Sequence, residues 1–348
     1  MTVPQASRAE PPTPSTYEAA VRLVWRPLDP AGGLGELVRA ATLAANSHNT
    51  QPWRFKVAAD RIGIHPDPAR RCPAVDPDDH HLFATLGCAA ENVVQAAGLL
   101  GLRATPRFDG AADAVVIDIE RGAPVRSALG EAIIQRQCTR AAYDGRPVST
   151  EDLRMMQAAG SLDGVECLIV TETARIEGIL EYIVQGNTAQ MRDPAFMAEL
   201  TSWIRFNDAT AIAHMDGLSA RSTGNPTMPP WLARRLLPFV LTETGENDKY
   251  AKQVRSSAGL AVLIAPSNDK AGWVAAGRAY ERFALQATAL DIRHAFLNQP
   301  VEVPSLRPKI AAYLGRGDRR LNLIVRFGRG PTLPYSLRRP VSAVMDPA

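Results

Sequence analysis

One set of identities recurs along this 348-residue chain at a constant spacing, and it restricts the fold more than any other feature. Gly87/Gly277, Ala89/Ala279, Glu91/Glu281, Ala97/Ala287, Leu100/Leu290 and Arg103/Arg293 are matched pairs within two stretches that both read as long helices. The order around them repeats as well. The strand-like "AVVIDIE" is echoed by "LNLIVRF", the helix ending near Ala45 by "EDLRMMQAAG", and "RLVWR" (Arg22–Arg26) by "RQCTR" (Arg136–Arg140). Such a pattern predicts two diverged copies of one α+β unit, residues 17–125 and 130–345, each an antiparallel-type sheet surrounded by helices. The second copy carries a long insertion, about 186–245. "WRFKVAADRIGIHPDP" alternates apolar and polar residues around Asp60, as a hairpin does.

Composition narrows the class. Hydrophobic residues make up 46% of the chain, enough for a core that needs no cross-links. The four cysteines, Cys72, Cys88, Cys138 and Cys167, are far apart and form no CxxC pair, which argues against a disulfide scaffold and a structural zinc site. The net charge of +3 comes from scattered basic residues, which argues against a nucleic-acid groove. Residues 1–16 are proline-rich without an apolar stretch and read as a disordered leader, not a signal peptide. No run approaches the ~18 apolar residues of a membrane span. These features point to a cytoplasmic protein with no membrane partner. "DPDDHH" reads as a solvated helix start matched to the helix dipole; adjacent His80 and His81 do not share a face, so no metal is expected there.

Chemistry is concentrated where an alanine-rich helix breaks into "NSHNTQPW". Asn tolerates a left-handed helix end and Pro52 stops the helix, but four consecutive polar residues before a Trp need a further reason. Such a turn sets amide and hydroxyl groups beside an apolar wall, as a flat heteroaromatic ligand requires. In "RQCTR" an extended backbone turns Arg136, Cys138 and Arg140 to one side, and two guanidinium forks suit a phosphate. Ser336, Arg338 and Arg339 follow the bend "GRGPTLP".

These segments together resemble the FMN-binding nitroreductase family, whose motifs are R-x-S-x-R/K, P-S-S-x-N-x-Q-P-W and a basic tail ending in proline. Arg136-Gln-Cys138-Thr-Arg140 fits the first with Cys for Ser. Asn46-Ser47-His48-Asn49-Thr50-Gln51-Pro52-Trp53 fits the second, with Ala45 and Asn46 replacing its Pro and first Ser. Ser336-Leu-Arg338-Arg339-Pro340 fits the third. In that family the turn comes from one subunit of a dimer and the other two segments from its partner. Here the first copy keeps the turn and the second keeps "RQCTR" and the tail. The resemblance is therefore to a fused single chain, a monomer acting as a pseudo-dimer with one flavin site and further oligomerisation possible.

The resemblance implies roles. Arg136, Arg338 and Arg339 would hold the FMN phosphate. Arg140 would stand near the N1/O2 edge of the ring, where a cation raises the reduction potential. Asn46, Ser47, His48, Asn49 and Gln51 would reach the ring and ribityl chain, and a backbone N–H of Leu297 or Asn298 would meet N5. Either His48 or His294 could donate a proton, or both are structural. The insertion is read as a helix pair packed on the core with Trp203, Ile204 and Phe206 buried, and as a lid. The implied activity is an FMN-dependent oxidoreductase in which NADH or NADPH reduces the flavin, which then reduces a nitroaromatic, quinone or other flat acceptor. Two alternatives stand: a protein that sequesters or stores FMN, and a specialised flavin dehydrogenase or dehalogenase.

Overall fold

The computed structural model describes residues 14–346. The expected leader lies outside that range except for residues 14–16. Thr16 accepts from the Ala19 N–H and so starts α1 (Tyr17–Val24), which α2 (Gly33–Thr42) follows. The first sheet comprises β1 (Trp53–Val57), β2 (Arg61–Pro66), β3 (Leu102–Asp109) and β4 (Ala114–Arg121), with α3 (His80–Leu99) between β2 and β3. Its order is β1-β2-β4-β3, antiparallel throughout.

Then α4 (Ala128–Ala132) and α5 (Thr150–Gly160) lead to β5 (Glu166–Val170). A long excursion follows: α6 (Thr173–Met191), α7 (Pro194–Trp203), β6 (Ile204–Arg205), α8 (Asp208–His214), β7 (Leu218–Ser219), α9 (Ala220–Thr223), α10 (Pro230–Val240) and α11 (Glu243–Arg255). The chain resumes with β8 (Gly259–Ile264), α12 (Lys270–Ala289), β9 (Arg293–Phe296), α13 (Gln299–Glu302), α14 (Arg307–Tyr313), β10 (Leu323–Gly328) and α15 (Val341–Val344). The second sheet runs β5-β8-β10-β9, again antiparallel. Within each four-stranded sheet the spatial order of strands is first, second, fourth, third, and a long helix joins second to third. The architecture is the α+β class expected.

The two long helices cross at matched glycines. A Cβ on Gly87 would collide with the backbone of Val274, and one on Gly277 with the backbone of Ala84. The contact is reciprocal, each glycine lying three residues after the partner's contact point, as at an isologous dimer interface. Phe83 and Leu86 of α3 and Tyr280 and Phe283 of α12 belong to one buried cluster that also takes in Trp53, Ile64, Val325 and Phe327 from both sheets. The outer face of the second sheet is covered separately. Leu260, Val262, Ile264 and Ile324 pack with Ile179 and Ile183 of α6 and Ile310 of α14. Covered on both faces, β8 reads as the unbroken apolar run GLAVLI.

Five local expectations need correction. Arg22–Val24 lie in α1, whereas Arg136–Arg140 are not helical, so "RLVWR" and "RQCTR" differ in conformation. Gly186 and Gly245, the expected limits of the insertion, both fall inside helices, and Trp203, Ile204 and Phe206 are only half-buried. The start of α3 is not solvated: Asp76 accepts from the N–H groups of His81 and Leu82, and both histidines are buried. Lastly, α3 is long and apolar enough to cross a membrane by composition, but 78% of that window is buried, as the central core helix.

Gly277→Ala forces α3 and α12 apart and should cost about 1–3 kcal/mol or more. Gly98→Ala, in the same type of helix with its nearest neighbour at 3.8 Å, should be neutral or stabilising. Urea denaturation of both variants compares them directly.

Candidate functional site

The turn after α2 is held in a conformation that its residues do not favour alone. His48, Asn49 and Gln51 have φ of 48°, 54° and 55°. Each non-glycine residue there costs roughly 1–2 kcal/mol, so the surroundings must over-determine the turn. Asn46 Oδ1 accepts from the Gln51 N–H (2.9 Å). The Asn49 amide donates to the carbonyls of Gly217 (3.1 Å) and Leu337 (3.0 Å), and Gly217 returns its N–H to Asn49 O (3.0 Å). Gln51 donates to Met215 O (2.9 Å) and accepts from the Arg339 N–H (2.8 Å). The insertion and the C-terminal tail therefore clamp the turn from two sides.

Facing it, residues 136–140 run along β9. Cys138 bridges to His294, and Thr139 donates its N–H to His294 O (2.9 Å). Arg326 binds the carbonyls of Thr139 (3.1 Å) and Ala141 (2.7 Å), and Gln253 donates to Arg140 O (2.5 Å). The backbone of Arg140 is thus fixed while its side chain is exposed, and among the described residues no carboxylate pairs with it.

Three adjoining cavities open between these segments. The largest, about 250 Å³, has a polar floor that includes Asn46, Ser47, His48, Arg140 and Asn298. The insertion supplies much of its roof, including Phe196, Leu200, Ile204, Leu218, Leu237 and Leu241. A second, about 60 Å³, is lined by Arg136, Gln137, Cys138, Arg140, Ser336 and Arg338, with Asn46 and Asn49. A third, about 40 Å³, touches His81 and Thr85. Asn46 and Phe296 line all three.

The electrostatics of the middle cavity are unbalanced. Arg136 (2% exposed) lies 2.9 Å from Glu281 (0% exposed), close but misaligned for a hydrogen bond, and donates to Leu43 O (2.6 Å). Burial pulls the Arg136 pKa down, but Glu281 overrides it and the net shift is upward. Arg338 is also buried. It donates to Thr42 O (2.7 Å) at the negative end of α2 and to Asn49 Oδ1 (2.6 Å). Burial, and then the neighbouring charge of Arg136, lower its pKa to about 9. Three guanidiniums thus meet one carboxylate, and the buried Gln137 amide nitrogen has no partner among the described residues. A cavity with surplus positive charge and an idle donor suits an anion.

Three of the expected cofactor residues line none of the cavities. Gln51 is fully buried and serves as a staple between turn, insertion and tail. The Leu297 N–H is already bonded to Ile324 O (2.8 Å), which leaves Asn298 as the residue of that pair at the cavity. Arg339 turns its guanidinium to Ala343 O (2.7 Å). His294 is a core residue, hydrogen-bonded to the Tyr280 hydroxyl (3.2 Å), and burial lowers its pKa to about 3. His48 does line the large cavity; burial, Arg140 and His81 lower its pKa to about 4. Sequence reasoning missed Phe296, Gln137 and the counter-ion Glu281. Only Glu281 carried a signal, its match with Glu91.

Two measurements test this electrostatic frame. Arg136→Met leaves Glu281 buried and unpaired and should cost about 3–5 kcal/mol, most of it recovered in Arg136→Met/Glu281→Leu. Because the folded pKa of His294 lies below its ordinary 6.5, unfolding takes up a proton there, and stability is lost as pH falls from 6.5 toward 3. His294→Gln should flatten the stability–pH slope in that window by up to about 1.4 kcal/mol per pH unit, as read by urea denaturation across pH.

No family model matches the chain. Two Mycobacterium tuberculosis proteins, from strains CDC 1551 and H37Rv, that carry provisional NAD(P)H nitroreductase names are each 26% identical to it over 318 residues. The match takes in 88% of this chain and 89% of each relative. Among solved structures, an FMN-bound nitroreductase from Bacteroides fragilis matches 60% of this chain and 90% of its own, with 18% identity and a TM-score of 0.36. The FMN-dependent nitroreductase NfnB from Mycobacterium smegmatis, in complex with NADPH, matches 64% and 93%, with 15% identity and a TM-score of 0.38.

Proposed function

We propose that the chain is a member of the nitroreductase family, an FMN-dependent, cytoplasmic oxidoreductase built from two diverged copies of one unit in a single chain. The observation that carries the reading is the chain of adjoining cavities between the Asn46–Asn49 turn and the Arg136–Arg140 segment. Its surplus positive charge and the idle Gln137 amide fit the phosphate end of FMN. Arg136 and Arg338 supply buried charge beside that end, and Arg140, without a carboxylate partner among the described residues, lines both of the two larger cavities. Asn46, Ser47, Asn298 and Phe296 flank the space left for the ring.

Bound FMN supplies two-electron transfer from NADH or NADPH to an acceptor such as a nitroaromatic or quinone. This chain's part is to bind, orient and shield. Arg140 adds positive charge at the junction, which favours negative charge on a bound ligand. The turn's hydrogen bonds to Gly217 and Leu337 hold Asn46 and Ser47 in place without adjustment by the ligand. The apolar roof from α7 and α10 excludes water and admits a flat apolar acceptor rather than a hydrated one. His48, held neutral by its surroundings, is an acceptor or donor of a hydrogen bond at neutral pH rather than a cation.

That same roof supports a second reading, retention of FMN with little turnover. Anaerobic addition of NADH and then NADPH to the flavin-loaded protein separates the two. Bleaching of the visible flavin bands is the expected result, and unbleached bands favour retention. Loss of the site by mutation is best tested at Arg140, because Arg136 and Arg338 also hold the fold. Arg140→Gln should weaken FMN binding by roughly ten-fold to a hundred-fold at unchanged thermal stability. Arg26→Gln, whose residue pairs with Glu36 in the first half, should leave binding intact. Equal loss in both variants would defeat the one-site reading.

A further inference from the structure

The outer face of α10 has no covering element among the described residues. Trp231, Phe239 and Val240 are 71%, 78% and 72% exposed, and Leu236 is exposed beside them. Helical spacing puts Trp231, Arg235 and Phe239 in one row at steps of four, with Leu236 and Val240 in the next. Leu237, with Leu241 just beyond the helix, faces the large cavity instead. The helix is therefore apolar on both sides, and only its inner side has a use within the fold.

Charge decides what the outer side fits. Arg235 is exposed between Trp231 and Phe239, and Arg234 is exposed on the flank of this face; neither has a carboxylate partner among the described residues. Between Asp216 and Glu243 the chain contains no acidic residue, and Glu243 is engaged by Arg192. A second copy of the chain meeting this face about a two-fold axis would set these arginines against their own copies. The face needs a partner that is apolar and anionic at once. An anionic lipid surface meets both needs: the acyl boundary receives Trp231, Leu236, Phe239 and Val240, and headgroups neutralise the arginines.

We propose that α10 docks this protein on an anionic membrane surface as a peripheral, interfacial helix. Trp231 and Phe239, one near each end of the helix, are its interfacial anchors. This departs from the expectation, drawn from composition, that no membrane is a partner. It sets the helix that roofs the large cavity between that cavity, which Leu237 and Leu241 face, and the lipid boundary.

The test uses the full chain with vesicles of phosphatidylcholine alone or mixed with phosphatidylglycerol. Co-sedimentation with the mixed vesicles only, reversed by salt, is the expected result, with a blue shift of tryptophan emission that Trp231→Phe removes. Arg234→Gln/Arg235→Gln should weaken partition by roughly thirty-fold, about five-fold per arginine. Unchanged thermal stability of these surface variants shows that they are folded. Absent or equal partition on the two vesicle types would overturn the proposal. So would concentration-dependent self-association that Trp231→Ser/Phe239→Ser abolishes, since that would make a second copy the occupant.

Discussion

Everything in this structure is hung on the crossing of α3 and α12. Where Gly87 meets Val274 and Gly277 meets Ala84, the helices touch backbone to backbone, and no side chain larger than hydrogen fits. That close approach brings the two sheets into one shared core. It also fixes the depth at which Glu91 and Glu281, matched residues four positions past the glycines, enter the interior. Both are fully buried and both need cations. Glu91 takes Arg278 and Arg282 of the opposite helix, while Glu281 takes Arg136 of the cavity wall. One carboxylate thus ties the two long helices together, and its counterpart anchors the charged wall of the cavity.

The site itself is assembled from parts that have little local reason to be where they are. The turn holds three left-handed non-glycine residues because Gly217 and Leu337 demand the Asn49 amide and because Met215 and Arg339 demand Gln51. Arg338 is drawn out of water to the carbonyl end of α2, a cost met by helix dipole and hydrogen bonds. What the cavity lined by Arg136 and Arg338 gains is positive charge that no described residue neutralises in full. Strain and desolvation are therefore concentrated around the cavities and are balanced by a well-packed core elsewhere.

Legibility in the sequence followed the range of the interactions. Local patterns could be read: the β1–β2 hairpin from its alternation, α3 from its length, and the turn from Pro52 and its polar run. β3 went unread because Pro106 interrupts it. The proline is tolerated there because β3 lies at the sheet edge, where a missing N–H need not break a ladder. His80 and His81 looked like surface residues, but Asn322, Trp273 and Glu302, distant in sequence, pack against them. Gln51 and Arg339 carry the letters of a binding motif, yet positive φ at Gln51 and the path of the tail turn both to structural use. Phe296 lines all three cavities without any local mark, since its place comes from the register of β9 on β10.

The clamp on Asn49 also has a meaning in time. Its partners stand 168 and 288 residues further along the chain, and Arg338, which binds its Oδ1, follows 289 residues after it. During synthesis the first sheet and its turn emerge long before the tail that holds them. Until then the strained turn has no reason to adopt its final shape. The turn is therefore completed only once residues 337–339 have been made: a chain that lacks them can possess both sheets and still lack a formed site. The order of synthesis thus sets an order of assembly, in which the sheets come first and the turn takes its shape from the segment that follows.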